Sequence, residues 1–442
     1  MHAPPSNASS APHRRENRRR AARRQRARHG PRASRIVRMR TSAPARPKRA
    51  NAVPARGAIS LRMISPARAK SRTRRTRRAR RLDGRVAVKC PVVPAPRRFS
   101  APPMSASPAL SPRRVSVAPM MDWTDRHCRS FHRTISRHAW LYTEMVTTGA
   151  LIHGDVARHL AFTPDEAPVA LQLGGSEPAD LAHSAKLGER WGYDEINLNC
   201  GCPSERVQRG AFGACLMNEP QLVADCVKAM RDAVSIPVTV KHRIGVDAVE
   251  DYAFVRDFVG TVAAAGCDVF VVHARNAILK GLSPKENREI PPLKYDYAYR
   301  LKRDFPQIEI VINGGVTTLD EVEQHLRHVD GVMLGREAYH NPYVLAGIDA
   351  RFYGASAPAP TREEVEAKLV EYCAAELARG TYLGAIVRHA LGLYRGVAGA
   401  RGWRRVLSDN KRLGRGDLSI FDEARTHLTR PEEFFEKKAL QS

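Results

Sequence analysis

Asn197-Leu198-Asn199-Cys200-Gly201-Cys202-Pro203-Ser204 ends an apolar, strand-like run by placing amides, a glycine-proline turn and a thiol in one loop. Such a loop can hold a planar polar ring and hand it a proton. Side-chain amides pair with ring N–H and carbonyl groups, and a thiol is a protonated acid at neutral pH. Asn199 is the candidate for holding a base or capping the loop, and the thiols of Cys200 and Cys202 are the candidate acids. Lys241 and His273 close two later apolar runs, where a cation and an imidazole can face the same ring. Gln172 closes an earlier one and offers both a donor and an acceptor to a ring edge. The last two runs end in Asn313-Gly314-Gly315 and Gly335-Arg336. Glycine lets backbone N–H groups approach phosphate oxygens, and an arginine adds a charge-assisted contact.

These residues need elements that bring them together. Short β-branched or apolar runs lie at Val115–Ala118, Leu141–Met145, Val169–Leu173, Glu195–Leu198, Val238–Val240, Val269–Val272, Ile308–Ile312 and Gly331–Leu334. Their spacing of about 31 residues is the length of a βα unit. Eight such units predict an α/β fold, a (β/α)8 TIM barrel, whose site sits at the carboxyl ends of the strands and whose last two strand-end loops bind phosphate. A doubly wound sheet is disfavoured, because the first run leads into Ala118-Pro119-Met120-Met121-Asp122 and not into a GxGxxG turn. Between strands, Leu222, Val223, Cys226, Val227, Met230 and Val234 recur at helical spacing, with Pro237 as the expected stop. The barrel is expected over 104–350. Ala355–Pro360 reads as a linker, Thr361 and Glu364 form a capping box, and helical periods over Val365–Leu377, Leu383–Tyr394 and Ala424–His427 predict a small all-α domain at 361–430.

The charge is unevenly distributed. Residues 1–100 hold 31 Lys and Arg against Glu16 and Asp83, whereas the other 342 residues are balanced at 42 basic and 43 acidic. The Arg/Pro/Ala-rich segment 1–103 has no sustained apolar period and is expected to be disordered. It reads as an RNA-binding arm, as a transit peptide, or as an upstream extension of a chain that starts near Met104. No apolar run is long enough to span a membrane, and the eight cysteines form no repeated CxxC pair. The expectation is a cytoplasmic, monomeric protein without a metal site. Two basic clusters invite nucleic acid: the Gly/Pro-shaped loop Lys280–Arg288, and Arg401-Gly402-Trp403-Arg404-Arg405, with an aromatic between its charges.

On these residues the chain resembles the tRNA-dihydrouridine synthases, flavin enzymes that saturate a uracil ring in tRNA. The likeness is tightest to the A-type bacterial enzymes at Ser116–Met120, Tyr142–Ala150 and Gly281–Pro292, and it covers about 113–350 closely and the helical region more loosely. It implies bound FMN, NADPH as reductant, and uridines 20 and 20a of the tRNA D-loop as targets. Carried over by position, the FMN residues are Pro119, Met120, Met121, Gln172, Lys241, His273, Asn313, Gly314, Gly315, Gly335 and Arg336. The resemblance places the proton donor at Cys202, leaving Cys200 inert, and the tRNA contacts at Asn199, Lys285, Arg288, Arg401 and Arg404. His242 departs from the family pattern and is expected to point away from the flavin. A flavin barrel acting on a free pyrimidine would explain the FMN residues and the thiol, but not the helical region or the two basic clusters. A non-catalytic RNA-binding protein would leave Cys202, Lys241 and His273 without a purpose.

Overall fold

The computed structural model of the protein describes residues 110–428, so the expectations for segment 1–103 lie outside the described residues. Among the described residues there are eight strands: β1 (Val115–Val117), β2 (Leu141–Thr147), β3 (Val169–Gly174), β4 (Glu195–Cys200), β5 (Val238–His242), β6 (Val269–His273), β7 (Glu309–Asn313) and β8 (Gly331–Leu334). All pair in parallel in the order β1-β8-β7-β6-β5-β4-β3-β2. The ring closes where Trp140, just ahead of β2, meets β1: Val117 N donates to Trp140 O at 2.9 Å and Trp140 N to Val115 O at 3.0 Å. This is the expected (β/α)8 barrel, with helices between the strands.

Several strands run further than their apolar stretches. β4 continues to Cys200 and β5 to His242, with Asn199 opposite Lys241 in the ladder. Side chains alternate across a strand, so a polar residue stays in register when its neighbour is apolar and its own side chain faces a polar interior. That interior is divided. Val269, Val271, Val311, Met333 and Ala118 line one side, whereas Glu195, Asn197, Asn199, Gln172 and Thr239 hydrogen-bond to one another on the other. Beneath them Arg113 donates through Nε to Glu195 at 2.5 Å and also pairs with Glu309 at 3.3 Å. Burial works against the Arg113 charge, but the two carboxylates outweigh it and raise its pKa.

The helix Pro220–Arg231 buries Val223, Cys226, Val227 and Met230, the face expected from their spacing. It ends at Asp232, ahead of Pro237. Thr361 caps the helix Arg362–Ala378 in a capping box, its N–H held by Glu364 at 2.8 Å. The helix expected over Leu383–Tyr394 is α-helical only over Leu383–Val387. Beyond it the chain winds in tighter turns, with Ala390 N donating to Val387 O and Leu393 N to Ala390 O. Gly392 packs so closely on the barrel that an added Cβ would lie 2.5 Å from His340 O. The helical region also docks through Asp125, which caps the helix Arg126–Ile135 and binds Arg388 Nη2 at 2.5 Å and His389 Nε2 at 3.0 Å. Among the described residues no helix is long and apolar enough to cross a membrane, and no group of His, Cys, Asp or Glu could hold a metal ion.

Candidate active site at the barrel mouth

The parallel strands deliver the singled-out residues to one rim. Asn199 stands beside Lys241, and His273 beside Asn313. Asn199 Oδ1 accepts the backbone N–H groups of Gly201 at 3.1 Å and Cys202 at 3.0 Å, so this amide shapes the thiol loop. Its Nδ2 donates to Gln172 Oε1 at 2.8 Å, which leaves one amide hydrogen for another partner. Cys202 is half-buried with its Sγ directed at Ser204 Oγ, 3.6 Å away. Cys200 is fully buried on the other face of β4, where burial pushes its thiol up. His242 likewise faces outward, packed between Phe258 and Phe270 with ring centroids at 5.2 and 5.8 Å.

Lys241 is 9% exposed, and its Nζ donates to Asn313 Oδ1 at 3.2 Å. No carboxylate pairs with it among the described residues. Burial, then the neighbouring Arg243, push its pKa down to about 7, with Cys202 acting in the opposite sense. Burial and the charges of Arg243, Lys241, Arg275 and Arg288 hold His273 well below its usual range, so its imidazole is neutral at pH 7. The mouth is thus cationic, and its buried charge lacks a protein anion.

The glycines beside it are required by shape. Gly314 has φ 119°, and an added Cβ would lie 2.9 Å from His273 Cδ2; at Gly315 (φ 75°) it would lie 2.7 Å from Leu293. Around Gly335 an added Cβ would meet nothing within 4 Å, so this loop borders open space. Arg336 follows it and bridges to Glu289 Oε1 at 2.5 Å, linking the β8 loop to the loop after β6. Pro119, Met120 and Met121 complete the rim, with Met121 53% exposed. Beyond them Asp122 takes φ 64° while its N–H is held by Glu144.

Arg243 was not singled out by its sequence, yet it ties the mouth together. It is buried, and it donates from Nε to Gly201 O and from Nη1 to the carbonyls of Asn276 and Asn287, joining the thiol loop to the loop after β6. The available signal was its place two residues past Lys241, on the same side of the chain. Buried Asn287 organises the second loop by donating to the carbonyls of Ile278 and Leu282, which leaves Lys285 and Arg288 exposed.

Arg401 and Arg404 lie elsewhere, in the helical region, where with His340 and Arg395 they line a cavity of about 960 Å³. Trp403 between them corrects an expectation. It is wholly buried, donates Nε1 to Ala390 O at 3.3 Å and packs against Tyr394 with centroids 4.7 Å apart, so it offers no surface for stacking on RNA. Helical periodicity explains this, since Trp403 shares the inward face of Ala400–Val406 with Ala400 and Val406, while the arginines face out.

Residues 116–428 match the family described as dihydrouridine synthase (Dus). The chain is 58% identical over 323 residues to the tRNA-dihydrouridine(20/20a) synthase of Salmonella typhimurium, covering 73% of this chain and 97% of that protein. It is 61% identical over 312 residues to the protein of the same name from Pseudomonas putida, covering 71% and 93%. With the Escherichia coli K12 protein of that name, identity is 59% over 312 residues, covering 70% and 90%.

Proposed function

Because this chain belongs to the dihydrouridine synthase family of flavin-dependent oxidoreductases, we propose that it reduces uridine to 5,6-dihydrouridine at positions 20 and 20a of the tRNA D-loop, using FMN as cofactor and NADPH as reductant. It acts as a cytoplasmic monomer. The observation that carries this reading is the buried, acid-free Lys241 facing the same mouth as the thiol of Cys202.

The residues present suit a flavin. Lys241 supplies an uncompensated charge for an electron-rich ring edge, and Gln172, held between Asn197 and Asn199, would border the ring with the amide hydrogen and lone pair that those bonds leave over. Gly314, Gly315, Gly335 and Arg336 would hold the phosphate of FMN, with Pro119 to Met121 and His273 flanking the ring. When bound, the reduced flavin supplies hydride for C6 of the uracil.

The protein's part is then to seat the base and protonate C5. Asn199 has one amide hydrogen left for the uracil edge, while its oxygen holds the Cys202 loop. Cys202 gives the proton to C5, breaking its S–H bond. Lys241, Arg243 and Arg288 are near enough to interact electrostatically with the sulfur and stabilise the resulting thiolate. Exposed Lys285 and Arg288 at the mouth, and Arg401 and Arg404 around the helical cavity, take RNA phosphates while the base is turned out of its stack.

The test is mass spectrometry of D-loop fragments after unmodified tRNA is incubated with the full chain, FMN and NADPH. Product at positions 20 and 20a is expected; a yellow, NADPH-oxidising protein that makes none would favour a free pyrimidine as substrate. The charge of Lys241 sets a second expectation. An anionic ligand binds the protonated amine, so FMN affinity falls as pH rises through about 7, by at most about tenfold per pH unit. Lys241→Met should weaken binding and flatten that dependence in a flavin-fluorescence titration. Equal, pH-independent affinities in the two proteins would remove Lys241 from the flavin seat.

A further inference from the structure

The polar half of the barrel interior carries one unbroken chain of hydrogen bonds whose direction is determined at both ends. At the rim, Asn199 Oδ1 receives two backbone N–H groups, so its Nδ2 faces Gln172 and donates to Oε1 at 2.8 Å. Gln172 Nε2 donates to Asn197 Oδ1 at 2.8 Å, and Asn197 Nδ2 to Thr239 Oγ1 at 2.8 Å. The Thr239 hydroxyl then donates to Glu195 Oε1 at 2.5 Å. At the closed end Tyr142 OH, at 3.0 Å, and Arg113 Nε, at 2.5 Å, donate to the same carboxylate.

A backbone N–H only donates, and a carboxylate receiving three donors only accepts. Between such ends, turning over either intervening amide sets donor against donor on one side and acceptor against acceptor on the other. Bulk water does not reach the mismatch, because Glu195, Asn197 and Thr239 are 0% exposed and Gln172 is 1% exposed. Unsatisfied polar groups there carry their full desolvation cost.

We infer that Glu195 and Thr239, remote from the reacting atoms, are positioning residues for the thiol loop: through four side-chain hydrogen bonds the carboxylate holds Asn199 in the orientation whose oxygen receives the N–H groups of Gly201 and Cys202. The chain runs from the closed end of the barrel to the mouth, a path that neither Glu195 nor Thr239 discloses by its own position. Its consequence for catalysis rests on Cys202 being the proton donor; its consequence for loop geometry does not.

The comparison that tests it is Thr239→Val against Thr239→Ser, both in the full chain loaded with FMN. Valine keeps the shape and removes the hydroxyl, whereas serine keeps the hydroxyl. Two rates are read: alkylation of Cys202 by iodoacetamide, located by peptide mass, and dihydrouridine formation from pre-reduced protein. In the valine variant Cys202 alkylation should change by at least about threefold and product formation should fall about ten- to hundredfold, with flavin content retained. Serine should restore both rates to within about twofold. Native rates in the valine variant would overturn the inference, and so would equal losses in both variants, since packing and not the hydroxyl would then be responsible. Should the valine variant fail to fold, Glu195→Gln, which sets an amide against Arg113 or Thr239, must show the same two changes or the inference falls. Product formation by Cys202→Ala would remove the acid role of the thiol while leaving the alkylation test of the chain intact.

Discussion

Cys202→Ala is expected to bind flavin and oxidise NADPH at close to the native rate while dihydrouridine formation drops about 10²- to 10⁴-fold, the usual worth of a positioned general acid. The selectivity follows from how the loop is held. Asn199 grips the backbone N–H groups of Gly201 and Cys202, and Arg243 grips the carbonyl of Gly201, so alanine removes the S–H and leaves the loop's tethers in place. Stopped-flow flavin reduction and product quantified by mass spectrometry separate the two steps. Loss of flavin from this variant would mean that the thiol supports the cofactor seat, and undiminished product would assign the proton to another group. Cys200→Ala is the matched control. Its side chain lies among the helix-facing residues of β4, so the variant should lose stability without losing the proton-transfer step.

Trp403→Ala is expected to cost about 3–5 kcal/mol of stability, the range for truncating a fully buried large aromatic. The indole fills the centre of the helical region against Tyr394 and Phe421, and its N–H joins that of Leu393 as a second donor to the Ala390 carbonyl. Alanine would open a cavity and remove one of the two donors to that carbonyl. Arg404→Ala, one residue away but exposed, should change stability by less than about 0.5 kcal/mol. Its effect should instead be on tRNA, weakening binding across sequences and lowering the salt dependence by about one phosphate contact. Denaturant unfolding followed by circular dichroism, beside filter binding at several salt concentrations, reads both. If Trp403→Ala kept its stability and lost RNA affinity, the indole would be a stacking surface after all.

Much of the architecture was legible in the linear chain because it depends on local periodicity. Eight apolar runs at βα spacing imply the barrel, and the barrel by itself sends Gln172, Lys241, His273 and Asn313 to one rim, since all strands point the same way. The thiol loop and the strand-end glycines were also readable, because turn residues and a thiol between apolar segments carry their meaning locally. The capping box of Thr361 and Glu364 was equally local, for its bonds span three residues.

Whatever depends on which face a side chain takes, or on partners distant in sequence, was decided only by the tertiary structure. Trp403 sits between arginines in the chain but across a helix from them in space. Arg243 reads as one more cation after a strand, yet it joins Gly201 to Asn276 and Asn287, carbonyls 42, 33 and 44 residues away. Glu195 reads as the polar start of a strand. Only closure of the ring sets it opposite Arg113, 82 residues earlier, and under Thr239, 44 residues later. Periodicity specifies a side chain's face relative to its own strand, but hydrogen-bond direction along a buried chain is a property of all its members at once, and no segment of sequence contains them together.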